Sequence, residues 1–166
     1  MCLCVVGLTG YAQSKGDMAV GLNLGVAPLL EKGISITNFG IGAKFQYNVT
    51  NPIRLEADVD YWFKDKGLGI FDISANAHYL FHIGNKLSVY PLIGIGYANV
   101  SGAVTWDYDL DGDDDWSSSM SRFLFNVGAG AEYNITRKIS AGLEIKYQYM
   151  KNFSRLPITI GATYHF

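Results

Sequence analysis

Cysteine is nearly missing from this chain: of 166 residues only Cys2 and Cys4 carry a thiol, both among the first four positions. That rules out a disulfide framework or a thiolate metal site in the body of the protein. No apolar run approaches the roughly 18 residues that a membrane-spanning helix needs. Basic residues do not gather into a stripe with interleaved aromatics, which argues against a nucleic-acid partner. Prolines number four, and the charged fraction is only 17%.

What is abundant is glycine (19) and aromatic side chains (11 Tyr, 9 Phe, 3 Trp). With Val and Ile, these residues favour strands and turns over helices. The net charge of −2 is unevenly spread. Six of the 15 acids, Asp107, Asp109, Asp111, Asp113, Asp114 and Asp115, lie within nine residues. Outside them, 13 basic residues face nine acidic ones, a balance of +4.

Residues 1–13 read as the back half of a secretory signal. Their apolar run leads to Gly10-Tyr11-Ala12, a small-x-small cleavage pattern, although the positive n-region is missing. The alternative reading is a short buried strand. On the first reading the mature domain is 14–166, exported by the Sec route and free of cysteine.

Alternation with period two dominates the remainder. In Ile53-Arg54-Leu55-Glu56-Ala57-Asp58-Val59-Asp60-Tyr61 every odd position is apolar and every even one charged. Ile139–Tyr149 repeats the split, and helical spacing would have mixed the two classes. Six further strands are expected at about 17–28, 36–48, 70–81, 87–99, 121–133 and 156–166. Most have ten to thirteen residues, more than soluble sheets use and right for tilted membrane strands. Short turn-like links (48–52, 82–86, 134–138) alternate with more variable ones near 29–35, 64–69, 100–120 and 150–155. The expected fold is all-β: an eight-stranded antiparallel up-and-down transmembrane barrel.

Alternation leaves open which face meets water. A soluble barrel would turn Gly21, Gly25, Gly40, Gly42, Gly94, Gly96, Gly128, Gly130, Gly142 and Gly161 outward, where glycine packs nothing. Inside a narrow barrel the same glycines make room for long neighbours. The opposite face is aliphatic and nearly free of charge. Aromatics bound it at both ends: Tyr47, Tyr79, Phe81, Tyr133, Tyr164 and Phe166 near the short turns, and Tyr61, Phe63, Phe71, Tyr97, Phe123, Tyr147 and Tyr149 near the longer links. Two aromatic girdles around an aliphatic band match a bilayer.

The last residues, Thr159-Ile160-Gly161-Ala162-Thr163-Tyr164-His165-Phe166, resemble the carboxy-terminal assembly signal of bacterial outer-membrane β-barrels. Tyr90-Pro91-Leu92-Ile93-Gly94-Ile95-Gly96-Tyr97 resembles a Tyr-Pro…Gly-x-Gly-Tyr strand of the same group. Over residues 17–166 the chain is similar to the small eight-stranded barrels that include the OmpA transmembrane domain, OmpX and the opacity proteins. In style it is closest to the porin-like barrels of the Bacteroidetes. The resemblance implies an integral protein of the Gram-negative outer membrane, in contact with lipid and lipopolysaccharide. It also implies recognition by the barrel-assembly machinery through Gly161, Tyr164 and Phe166. A monomer is expected.

By parity, Lys44, Arg54, Arg122 and Lys146 face inward with Glu56, Asp58, Asp60, Asp72, Glu132 and Glu144, joined by Trp62, His78, Tyr90 and Gln148. Buried charges must pair or stay hydrated, so a lumen-filling network of ion pairs is the expected role, and a gated polar path is the functional alternative. Eight strands leave an interior just wide enough for side chains, which argues against a permanently open, general-diffusion pore.

One link carries possible ligand chemistry. Asp107, Asp109 and Asp111 followed by Gly112 reproduce the D-x-D-x-D-G opening of a calcium loop, and Asp113 follows. Position twelve is Ser118 instead of a bidentate Glu, and no helices flank the loop. The competing reading is a solvated acidic loop that repels anionic lipopolysaccharide. Trp106, Tyr108 and Trp116 suit contact with sugars, a protein or the membrane interface. No cofactor other than calcium is indicated. Since His78, His82 and His165 form no rim constellation with Ser and acid, catalysis is not expected. A structural or surface-interaction barrel leads, a narrow channel follows, and a lipid-acting enzyme is third.

Overall fold

The structure, a computed structural model, describes residues 15–30, 37–65, 68–102, 119–151 and 153–166. The leader-like segment and the acidic loop with Asp107, Asp109, Asp111 and Asp113 lie outside them.

Ten strand segments follow one another: β1 (Met18–Pro28), β2 (Thr37–Asn48), β3 (Ile53–Asp65), β4 (Leu68–Tyr79), β5 (Phe81–Ile83), β6 (Leu87–Gly102), β7 (Ser119–Asn134), β8 (Ile139–Met150), β9 (Phe153–Arg155) and β10 (Ile158–His165). β5 prolongs β4 beyond Leu80 and pairs with β6, while β9 leads into β10 past Leu156-Pro157. The ten segments therefore make eight staves, each antiparallel to its neighbours. β10 pairs with both β8 and β1, from Ala19↔His165 to Val26↔Ile158, and this closes the barrel. Closure leaves no unpaired edge among the described strands, and a bilayer would penalise one.

Several boundaries differ from the expected ones. β6 and β7 run to 16 residues each, so the long link shrinks to 103–118. β3 continues to Asp65, across a register shift between Trp62 and Asp65, and pairs there with Leu68. The expected turn at 82–86 is also tighter, because Phe81–Ile83 joins the ladder and only Gly84–Lys86 turns. Gly84 takes a φ of 70° there. The last strand is shorter than expected because Pro157 has no N–H to donate. Its carbonyl still accepts from Lys146 N at 2.9 Å.

The barrel is inside out relative to a soluble protein. Leu22 is 71% exposed and Phe123 64%, whereas Arg54 and Lys146 are each 1% exposed. All thirteen girdle aromatics point outward. Phe63 stacks with Phe39 at 6.1 Å and meets Tyr61 edge-on at 5.4 Å, while Tyr79 leans on Phe81 at 4.9 Å. Such an apolar outer surface is stable only against lipid.

Inward glycines face bulky neighbours. A Cβ on Gly40 would lie 2.4 Å from the Trp62 ring, and one on Gly130 would lie 2.4 Å from that of Tyr90. Those aromatic rings fill the space that glycine leaves.

Candidate functional site

β3 supplies the spine of the lumen. Its inward positions are Arg54, Glu56, Asp58, Asp60 and Trp62, and all five are buried. Pleating places them in one column, so four charges stack along the barrel axis. Each needs partners from other staves, because an unpaired buried ion costs several kcal/mol.

Lys146 on β8 supplies the central tie. Its Nζ lies 2.6 Å from Asp58 Oδ2 and 3.2 Å from Glu144 Oε1. Asp58 also accepts from Ser74 Oγ and from Asn76 Nδ2, the latter at 2.9 Å. Asn126 Nδ2 donates to Asn76 Oδ1 (2.9 Å) and Ser74 Oγ (3.1 Å), which ties β7 to β4 across the lumen.

Toward the short turns, Arg54 Nη1 donates to Glu132 Oε2 at 2.7 Å. The Arg54 guanidinium also lies 4.7 Å above the Tyr90 ring, which stacks on His78 at 4.6 Å. Tyr90 in turn donates to Glu144 at 2.9 Å. Glu56 accepts from Gln46 Nε2 at 2.7 Å and lies 3.6 Å from Lys44 Nζ. His165 joins from β10, with Nε2 2.9 Å from Ser140 Oγ and 3.5 Å from Glu132.

Toward the longer links, Asp72 accepts from Trp62 Nε1 at 2.9 Å and pairs with Arg155. Arg155 also donates to Gln148 Oε1 at 2.5 Å and sits 5.0 Å above the Trp62 ring. An apolar cluster of Ala27, Trp62, Ile70, Ala98, Leu124 and Met150 surrounds this end of the network.

Lys44, Arg54, Glu56, Asp58, Glu132, Glu144 and Lys146 thus meet in one web. Asp60 takes a hydrogen bond from Asn23 Nδ2 at 3.1 Å but forms no ion pair among the described residues. Arg122 lies nearer the mouth, half-buried, and donates to the Lys151 carbonyl at 2.6 Å. Arg155 was not among the expected inward residues, since its segment reads as a link. Continuing the parity of Thr159 backward through Pro157 would have turned it inward.

Among the described residues, two groups bring three metal-capable atoms within 4.8 Å of one another: Glu56, His78 and Glu144, and Asp58, Asp60 and Asp72. The first is unsuited to a metal. Arg54 Nε donates to His78 Nδ1 at 3.2 Å, so Nδ1 carries no proton and the neutral ring carries it on Nε2. That N–H faces Glu56 Oε1 at 3.6 Å and offers no lone pair. The second group is all oxygen.

Solved barrels share the architecture. Neisserial surface protein A superimposes with a TM-score of 0.74 at 19% identity, covering 92% of this chain and all of that one. Ail, the attachment invasion locus protein of Yersinia pestis, solved with the heparin analogue sucrose octasulfate, gives 0.68 at 19% identity over 92% and 99% of the two chains. The N-terminal barrel domain of Pseudomonas aeruginosa OprF gives 0.68 at 17% over 93% and 100%. No curated protein matches significantly. The family described as the outer membrane protein beta-barrel domain matches residues 1–166, in keeping with the closed barrel and its lipid-facing apolar surface: the chain belongs to that family, and it is an integral protein of the bacterial outer membrane.

Proposed function

We propose that this barrel is a non-catalytic structural and surface-interaction protein whose lumen is closed by its own ion pairs. The observation that carries the reading is the pair of ties across the full width of the lumen, Lys146 to Asp58 and Arg155 to Asp72. Both join staves that stand opposite each other in the closed sheet. Arg54, Asp58, Asp60, Lys146 and Arg155 are at most 2% exposed, so these ties leave little space for bulk water.

Contact with the outside then falls to the link between β6 and β7, residues 103–118. Ail was solved with a polysulfated heparin analogue. Six aspartates in this link would repel such a ligand, so a neutral sugar or a basic protein surface is the partner class we favour. The terminal strand, with Gly161, Tyr164 and Phe166, serves assembly in this reading. Phe166 is 62% exposed on the lipid side, available for recognition before insertion.

Planar-bilayer recording tests the closed lumen. The reading expects no stable discrete openings from the purified barrel. Regular, ion-selective steps would favour the channel alternative, for which the run of four inward charges on β3 is the relevant feature.

A further inference from the structure

One rung of the lumen is short of positive charge. Asp60 stands directly opposite Asp72 in the β3–β4 register, and like charges so placed repel. Asp58 lies two residues along β3, and these three carboxylates each bring an oxygen within 4.8 Å of the other two. Asp58 is met by Lys146 and Asp72 by Arg155, while no cation pairs with Asp60 among the described residues. These three negative charges therefore meet two positive ones, and Lys146 is shared further with Glu144.

Asn23 is an independent pointer to a ligand. It occupies the same rung on β1, is 5% exposed, and its amide nitrogen reaches Asp60 at 3.1 Å. Among the described residues its buried Oδ1 has no hydrogen-bond donor, nor do Asp60 Oδ2 and Asp72 Oδ1. Gly42 lies between Asn23 and Asp60 in the register. A Cβ there would lie 1.7 Å from Asp60 Oδ1 and 2.3 Å from Asn23 Oδ1, so the two side chains overhang the space that the glycine leaves. Buried oxygens that can only accept, with nothing donating to them, are the ligand set of a hard cation.

We propose that Asn23, Asp58, Asp60 and Asp72 bind one monovalent alkali cation inside the lumen. A single positive charge balances the rung. A divalent ion would lie beside the Lys146 and Arg155 cations already held by Asp58 and Asp72, and their repulsion disfavours the second charge. The ion completes the coordination of oxygens that protein donors leave unsatisfied, and it holds β1, β3 and β4 together at this level.

The test uses the full chain folded in detergent micelles. Its thermal midpoint, read from the compact band on a gel, is compared in sodium chloride and in choline chloride at equal ionic strength. The expected result is a saturable rise of about 2–4 °C in sodium, absent in Asp60→Asn. A second measurement needs no variant: crystals grown in thallium(I) acetate should show an anomalous peak among Asn23, Asp60 and Asp72, and this peak decides where the two disagree. No thallium peak at that rung overturns the proposal. Stabilisation by calcium but not by sodium overturns the monovalent assignment. A wild type indifferent to sodium, with a more stable Asp60→Asn and no thallium peak, would assign the balancing charge to a proton instead and also overturn it.

Discussion

Lys146 Nζ lies 2.6 Å from Asp58 Oδ2, although 88 residues separate them and β8 stands across the lumen from β3. This contact makes the barrel a cross-braced cylinder and not merely a rolled sheet. The brace is worth most where water cannot replace it, and both side chains are about 1% exposed.

Lys146→Met should therefore be costly. It leaves Asp58 and Glu144 without their shared cation, a loss of about 3–5 kcal/mol for a buried pair broken on one side. Adding Glu144→Gln should restore part of the stability, because one orphaned charge disappears. Urea unfolding in micelles, followed by tryptophan fluorescence, measures both. A single variant within about 0.5 kcal/mol of wild type, the range of ordinary surface changes, would mean the brace is incidental.

Glycine tolerance should follow the lumen contents. A Cβ at Gly130 meets the Tyr90 ring at 2.4 Å, and Tyr90 is held by Glu144. Gly130→Ala is expected to cost about 1–3 kcal/mol, as overpacking does. At Gly142 the nearest atom to an added Cβ is the Ala131 carbonyl oxygen at 3.6 Å, an ordinary contact. Gly142→Ala should be neutral or slightly stabilising. Equal losses at both positions would contradict this account.

Tyr164 and Phe166 are 44% and 62% exposed and face lipid. Replacing both with Ala removes little from the lumen, so refolding in micelles should change only modestly. Insertion into the outer membrane of cells, measured by surface protease accessibility, should fall much further if these rings serve recognition. Matching defects in the two assays would reduce the terminal motif to a stable last strand.

The acidic loop rests on its sequence alone. If Asp107, Asp109 and Asp111 share a calcium ion, millimolar Ca²⁺ should protect residues 106–118 from protease, and Mg²⁺ should do so poorly. With Ser118 in place of the bidentate Glu, the affinity should be on the order of 10⁻⁴–10⁻³ M. Asp109→Asn with Asp111→Asn should abolish protection and leave the barrel's heat-modifiable migration intact. A cleavage pattern indifferent to calcium makes the loop a solvated acidic surface.

Much of the barrel is legible in β3 by itself. Arg54, Glu56, Asp58 and Asp60 alternate with Leu55, Ala57 and Val59, and in a strand that spacing admits only two faces. The glycines opposite Trp62 and Tyr90 then indicate which face is enclosed, since glycine leaves room only where something bulky needs it. Arg155 escaped this reasoning because Pro157 interrupts the ladder and the preceding residues look like a link. Its burial follows from the three-residue pairing of β9 with β8, a contact with no period of its own.

Alternation, girdle and turn spacing determined the strand count, the orientation of the side chains within the regular strands and the membrane as the solvent of the outer face. They did so because each is a local property, written within a dozen residues of chain. Which carboxylate meets which cation was decided only by the closed sheet. The stagger between staves sets the height at which β8 faces β3, so Lys146 reaches Asp58, while among the described residues no cation pairs with Asp60. Parity assigns both aspartates to the lumen with equal force, and only the geometry of closure tells them apart.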